Sequence, residues 1–165
     1  MVRLPGITQA GKVEKRHMVS VLDLLPTVLD SLGIPKPKRL DGRSFLPLLR
    51  GEKQEDRDYI IKEYNENAGR SRDPMRAIQS KTHLYLFNPW SNGERIFATA
   101  TNGTVTCKRM IKLSEEDEEM NKRLELYRFR VPEELYQVNK DPDCLENLID
   151  YASKEKVLKK LLSLL

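Results

Sequence analysis

The sequence predicts an α+β fold, in which a small antiparallel sheet is packed by a C-terminal helix and preceded by other helices. Helix-like segments come first in the chain, short strand-like segments with turn signals fill its middle, and an amphipathic helix closes it. Runs of one element type followed by runs of another are typical of α+β domains. At 165 residues, the chain is long enough for one domain with a hydrophobic core, or for part of a larger protein.

The first predicted helix follows a short strand over residues 17–22. Asp23 is suited to cap its start, because a carboxylate accepts hydrogen bonds from the N–H groups of a first turn. Pro26 falls in that turn, where its missing N–H has no cost. Gly33 is predicted to end the helix. An apolar stripe is formed by Leu25, Val28, Leu29 and Leu32.

The middle of the chain predicts a second helix and then strands. A short helix over 45–50 should end at Gly51. Residues 58–65 have the β-branched and aromatic composition of a buried strand. Polar, turn-forming residues over 65–74 predict a loop. Two further strands, joined by a tight turn, are predicted to form a hairpin that pairs with the first strand; they cover residues 75–80 and 83–88.

The last part of the chain predicts turns, two helices and a strand. Asn92-Gly93 and Asn102-Gly103 are hairpin-type turn signals. Ser114 can cap an acidic helix that ends near Arg128, with its acidic first turn at the positive end of the helix dipole. A final strand and the amphipathic closing helix are predicted over residues 134–138 and 153–165.

The composition argues against nucleic-acid binding and against a membrane span. The net charge is +4 and both signs are interspersed, whereas a nucleic-acid binder concentrates positive charge on one face. No stretch approaches the ~20 apolar residues that a span needs, and the first residues lack the apolar core of a signal peptide. Cys107 and Cys144 have no metal-ligand spacing, and we expect two ordinary thiols.

Four segments, in the family's order, resemble the C-terminal half of sulfatases of the alkaline-phosphatase superfamily. They are VSVLDLLPTVLDSLGIPKP, LDGRSFLPLLRGE, PMRAIQSKTHLYLFNPW and ELYQVNKDPDCLENLID. The PMRAI sequence and the helical insertion before ELYQV are most similar to the sulfamidase (heparan N-sulfatase) branch. One departure is Asp143-Cys144, since the family usually has Glu after Asp-Pro.

The resemblance implies two parts. Residues 1–57 would be a remnant of the end of the large α/β catalytic domain, and residues 58–165 a C-terminal antiparallel-sheet subdomain with packing helices. The full-length protein would hydrolyse sulfate esters or N-sulfates of a sulfated sugar such as a glycosaminoglycan. Sulfatases of this kind are often exported, so the full-length protein would be periplasmic, lysosomal or secreted.

The resemblance also implies that the catalytic groups lie outside this sequence. Sulfatases use a formylglycine made within a Cys/Ser-x-Pro/Ala-x-Arg pattern, and neither Cys107 nor Cys144 has that context. They also hold a hard cation on an Asp-Asp pair and a later Asp-Asn or Asp-His pair, and this sequence has no Asp-Asp pair. We therefore expect no catalytic residue, metal ligand or cofactor here, and an inactive chain. Calcium and formylglycine are expected in the full-length family member.

Substrate contact is the function we expect for residues around the loop after the first strand. Such a loop projects from a rigid sheet, and its arginines suit the sulfate or carboxylate groups of a sugar. The candidates are Glu63, Asn65, Arg70, Arg72 and Arg76. The alternative is that the loop arginines are merely solvated and that Arg76 forms a structural salt bridge.

Two non-catalytic functions stay open. The sheet and its basic loop could bind a sulfated glycan without chemistry, or the chain could be a structural domain that self-associates. The helix LDLLPTVLDSL would expose its leucines if the surface that usually covers it were missing, and such an apolar patch favours self-association.

Overall fold

Two units make up the fold, Met1–Ile60 and Ile61–Leu165. The computed structural model describes residues 1–66 and 72–164, except for the side chain of Ala152. Helices dominate the first unit, and a sheet with helices forms the second. The predicted α+β class is confirmed. In the described part of the chain, no helix is both long and apolar enough to cross a membrane.

The first unit contains helices α1 (Leu24–Ser31) and α2 (Leu46–Arg50), and each ends at a glycine with positive φ as predicted. The strand predicted over 17–22 is wrong: residues 17–20 form no regular element, and a 3-10 turn, Val21–Asp23, leads into α1. Ser20 and Asp23 explain the difference. They form a capping box. The Ser20 hydroxyl oxygen accepts a hydrogen bond from the backbone N–H of Asp23, and the Asp23 carboxylate accepts one from the backbone N–H of Ser20.

The sheet has four antiparallel strands in the order β1-β2-β3-β4. Its strands are β1 (Tyr59–Glu66), β2 (Arg72–Ser80), β3 (Leu84–Phe87) and β4 (Glu133–Tyr136). The predicted hairpin and its pairing with the first strand are confirmed. Two details of the prediction are wrong. As an edge strand, β1 is mostly exposed rather than buried, and the strands extend into both ends of the loop predicted over 65–74.

The core of the second unit lies between one face of this sheet and helix α5 (Glu155–Leu162). Pairing of Ile78 with Tyr85, and of Tyr85 with Leu135, aligns three buried side chains across the sheet. Leu161 of α5 packs onto them. Period-2 alternation on the strands and a leucine stripe on the helix produce this contact, so the predicted packing of the closing helix is confirmed.

Two helices, α3 (Val105–Ser114) and α4 (Glu118–Phe129), pack against each other before β4. The sequence predicted hairpin-type turns followed by one helix, capped by Ser114 and ending near Arg128. The end of that helix is confirmed, since α4 ends at Phe129, but its predicted start is wrong and α3 was not predicted. Thr104 caps α3, whereas Ser114 is the last residue of α3 and Asp117 caps α4. All three residue types are good caps, so the propensities alone do not select the true start.

Candidate functional site

Three of the predicted substrate-contact residues come together at the exposed edge of the sheet. Glu63 and Asn65 are two residues apart on β1, so their side chains lie on the same face of the strand. Arg76 of β2 reaches them: its Nη1 donates to Asn65 Oδ1 at 2.9 Å, and its Nε lies 3.7 Å from Glu63 Oε1. Nη1 also donates to the backbone oxygens of Tyr64 and Met75. We call Glu63, Asn65 and Arg76 the Arg76 cluster.

The Arg76 cluster lies beside a groove of about 510 Å³. The residues that line the groove are Ile61, Glu63, Arg76, Tyr85, Phe87, Glu133 and Leu162. Its floor is apolar and partly exposed, as at Phe87, and its charged groups are one guanidinium and two carboxylates. This combination suits a ligand with an apolar ring face, hydroxyl groups and an anionic substituent.

The polar groups of the groove can bind and orient a ligand but do not form a nucleophile. Tyr85 donates its hydroxyl hydrogen to Glu133 Oε1 at 2.8 Å. Burial raises the pKa of the Tyr85 phenol well above its ordinary value, and the Glu133 carboxylate raises it further. Tyr85 therefore stays protonated at neutral pH and does not act as a phenolate nucleophile.

The groove residues outside the Arg76 cluster were not predicted from the sequence. Tyr85 and Phe87 share the cluster's face through strand register, since Phe87 pairs with Arg76. The pairing register of the predicted hairpin could therefore have placed Tyr85 and Phe87 beside Arg76. Glu133 comes from a strand 48 residues after Tyr85, and no local pattern connects the two.

Arg72, another of the predicted contact residues, does not line this groove. Arg72 lies at the start of β2, where its Nε is 3.3 Å from Glu66 Oε2 and both side chains are largely solvated. That Arg72 contacts the sugar stays a prediction. Arg70 lies outside the described residues.

A second arginine, which was not among the predicted contact residues, holds the segment after the hairpin. Arg95 pairs with the fully buried carboxylate of Asp73 at 2.5 Å and lies over the Trp90 ring at 5.9 Å. Trp90 in turn stacks on Phe97 with 5.2 Å between ring centroids. Because its guanidinium is engaged on both sides, Arg95 is best described as a structural residue.

No described residues form the metal site that the family resemblance implies. Over 1–66 and 72–164, no group of three or more His, Cys, Asp or Glu side chains is placed to hold a metal ion. Cys107 is buried in α3, and the pKa of the Cys144 thiol is raised by burial and then by the nearby Asp141 carboxylate. An activated cysteine needs the opposite, a lowered thiol pKa. Cys144 is therefore not placed to act as an activated nucleophile.

Comparison with protein families gives a match over residues 1–93 to "N-sulphoglucosamine sulphohydrolase, C-terminal". Similar proteins include the Delta 4,5-hexuronate-2-O-sulfatase of Bacteroides thetaiotaomicron, 35% identical over 56% of this chain and 20% of that protein. The ulvan-active sulfatase of Formosa agariphila is 29% identical over 99% of this chain and 32% of its own length. The extracellular sulfatase SULF-1 homolog of Drosophila melanogaster is 38% identical over 52% of this chain and 8% of its own.

Solved sulfatase structures share this fold. A putative sulfatase from Bacteroides thetaiotaomicron superposes with a TM-score of 0.56 at 26% identity, over 86% of this chain and 22% of that one. A 2-O GAG sulfatase gives 0.55 at 26% identity with the same coverage. Among the curated relatives that it matches in sequence, the chain spans between 8% and 32% of their length. It belongs to the N-sulphoglucosamine sulphohydrolase C-terminal family and is a C-terminal portion of a sulfatase.

Proposed function

We propose that the sulfatase to which this chain contributes removes sulfate from a sulfated sugar, and that the Arg76 cluster contacts that sugar. The observation that carries this proposal is the arrangement of the Arg76 guanidinium. Asn65 and Glu63 hold one side of it, and among the described residues no acceptor lies on Nη2. A planar guanidinium with free N–H groups is the side chain best matched to the oxygens of a sulfate.

The rest of the groove supports a sugar as the carrier of that anionic group. The carboxylates of Glu63 and Glu133 can accept hydrogen bonds from hydroxyl groups, and the Phe87 ring offers a flat apolar surface. With two carboxylates and one guanidinium, the groove has a net negative charge. It therefore favours a sugar with a single anionic group at Arg76 and hydroxyls elsewhere over a ligand that is anionic all round.

Within this class we propose an N-sulfated glucosamine. The family match over residues 1–93, whose description is N-sulphoglucosamine sulphohydrolase, supports this choice. The relatives differ in their printed substrates: one is a Delta 4,5-hexuronate-2-O-sulfatase and another is active on ulvan. A panel of N-, 2-O- and 6-O-sulfated sugars is therefore the appropriate set of ligands.

We also propose that residues 1–57 form the end of an α/β catalytic domain and that 58–165 form a C-terminal subdomain. In this proposal, calcium and formylglycine belong to the remainder of the protein. Those groups would supply the nucleophile and the positive charge that sulfate hydrolysis needs. This chain would bind and orient the sugar.

Titration calorimetry with an N-sulfated glucosamine disaccharide tests the sugar contact. We expect the Arg76→Ala variant to bind at least about tenfold more weakly, because a lost charged hydrogen bond costs roughly 1.5 kcal/mol or more. Arg109→Ala is the matched control, since Arg109 is exposed on α3 and its loss changes the net charge equally. Equal weakening by both variants, or unchanged binding by Arg76→Ala, would contradict the proposal.

A further inference from the structure

The two Asn-Gly pairs of the chain have different surroundings in the fold. Both are turn signals in the sequence. Asn92 and Gly93 lie at an exposed bend after the β2–β3 hairpin, whereas Asn102 and Gly103 lie in the 3-10 turn Ala100–Gly103 that precedes α3. Neither pair takes part in the proposed sugar contact. Their surroundings differ at the atoms that decide whether an asparagine side chain is attacked by the next backbone nitrogen.

The side-chain oxygen of Asn92 is held by two backbone donors. Oδ1 accepts a hydrogen bond from Glu94 N at 3.1 Å and another from Arg95 N at 2.9 Å. Donors in this position polarise the amide carbonyl and stabilise the negative charge that develops on its oxygen when the carbon is attacked. None of the described residues accepts a hydrogen bond from Asn92 Nδ2, so the nitrogen that would leave is not held there.

The backbone nitrogen of Gly93 is available to make the attack. It donates to no oxygen in the described part of the chain. Gly93 has a φ of +81°, and its surroundings are open, since a Cβ built there would meet nothing within 4 Å. The Ser91 hydroxyl is hydrogen-bonded to the backbone at the end of α4, and Arg95 is paired with Asp73. A bend that is fixed at both ends keeps the nitrogen and the carbonyl carbon in one relative geometry.

We infer that Asn92 is a site of spontaneous covalent modification in the folded chain, at which the Gly93 nitrogen closes a cyclic imide. The nitrogen attacks Asn92 Cγ and forms a C–N bond, the Cγ–Nδ2 bond breaks, and ammonia leaves with the proton of the Gly93 N–H. Water then opens the imide at one of its two carbonyl carbons, which gives either aspartate or its isoaspartyl isomer. This inference does not depend on the proposed sugar.

Either product changes the segment that Arg95 holds. Both add a negative charge three residues before Arg95. The isoaspartyl product also inserts one side-chain carbon into the main chain at the bend. Because the Arg95 guanidinium pairs with the fully buried carboxylate of Asp73, the modification alters both the charge and the chain length next to a buried ion pair.

Asn102 should resist the same reaction, although it too precedes a glycine. Its Nδ2 donates to Phe97 O at 3.0 Å, so the nitrogen that would leave is held by the fold. Its Oδ1 accepts from the Thr99 hydroxyl at 3.1 Å. In a 3-10 turn, ψ is about −20 to −30°, which directs the next N–H along the turn instead of towards the Asn102 side chain. Asn102 is therefore a control within the same molecule.

Peptide mapping by mass spectrometry tests the inference, after incubation of the folded 165-residue chain at mildly alkaline pH. Trypsin cleaves after Arg95 and so separates the two Asn-Gly pairs. A modified peptide gains the mass difference between water and ammonia and separates into two isomers. We expect modification at Asn92 to be at least about tenfold faster than at Asn102. Asn88, in the same peptide as Asn92, should stay unmodified because Pro89 has no N–H.

Two further comparisons assign the difference in rate to the fold. In urea, where the bend and the 3-10 turn are both lost, the rates at Asn92 and Asn102 should become similar. Gly93→Ala should slow the reaction at Asn92 and leave the rate at Asn102 unchanged, since a Cβ crowds the attacking nitrogen and disfavours positive φ. Equal rates in the folded chain, a difference that persists in urea, or an unchanged Asn92 rate in Gly93→Ala would overturn the inference.

Discussion

The carboxylate of Asp23 anchors the start of α1, and its removal should strongly destabilise the first unit. Asp23 accepts hydrogen bonds from Ser20 N at 2.8 Å, from Arg43 N at 2.9 Å and from Arg57 Nη2 at 2.7 Å. Asp23→Ala deletes all three and leaves the Arg57 guanidinium, itself only 19% exposed, without this partner. Removing one member of a buried pair costs about 3–5 kcal/mol. Because Arg57 keeps some contact with water, we expect about 3 kcal/mol.

Urea denaturation and hydrogen exchange of the α1 amides would measure this loss. Asp30→Ala is the control on the same helix, since it removes a solvated pair with Lys36 and should have a much smaller effect. In the double variant Asp23→Ala/Arg57→Ala, the loss should be smaller than the sum of the two single losses, because the unpaired charge is gone as well.

The pH dependence provides a second check on Asp23. Burial alone would raise its pKa, but the hydrogen bonds from Arg57, Ser20 and Arg43 outweigh burial and hold the pKa below its ordinary value. A lowered pKa in the folded state stabilises the fold above the unfolded-state pKa of about 3.9, and this contribution is lost as pH falls through the folded-state pKa. The difference between wild type and Asp23→Ala should therefore shrink below about pH 4. A difference in unfolding free energy that is constant down to pH 2, or no larger than that of Asp30→Ala at pH 7, would show that the Asp23 carboxylate does not anchor the helix.

Two further substitutions test the close packing at Gly42 in the first unit and the buried charge of Glu134 in the second unit. Gly42→Ala should lower the melting temperature, because a Cβ there would lie 2.0 Å from the Leu22 backbone oxygen, whereas Gly103→Ala meets no atom within 4 Å and should be tolerated. Equal melting temperatures would contradict that packing. Glu134→Gln should cost about 3–5 kcal/mol in urea denaturation, because Glu134 is fully buried and its charge is paired with Arg130. A loss below about 1 kcal/mol would show that the pair behaves as a surface pair.

The elements that the sequence predicts correctly are those with local signals. The β2–β3 hairpin has alternating apolar residues on both sides of a short turn, and its register follows from that turn. Helices α1 and α2 each end at a glycine that adopts positive φ. The start of α3 was missed because Asn102-Gly103 indicates a turn but does not distinguish a strand from a helix after it. Here the next residue, Thr104, caps a helix.

The features that the sequence does not predict depend on contacts between distant parts of the chain. Glu63, Asn65 and Arg76 could be grouped because they lie on paired, neighbouring strands. The Tyr85–Glu133 hydrogen bond joins residues 48 apart and has no local signature. Apolar periodicity in α1 correctly predicts which side chains share a face, but it does not tell whether that face is covered, and Leu25 and Val28 on that face are exposed.

We propose that this portion of a sulfatase contacts a sulfated sugar through Arg76, while the catalytic groups belong to the rest of the protein. The most direct measurement records binding and sulfate release in one sample that contains the chain, calcium and an N-sulfated glucosamine disaccharide. We expect saturable binding that weakens in Arg76→Ala, with sulfate release no faster than in buffer. Release that increases in proportion to the concentration of the chain would contradict the proposal.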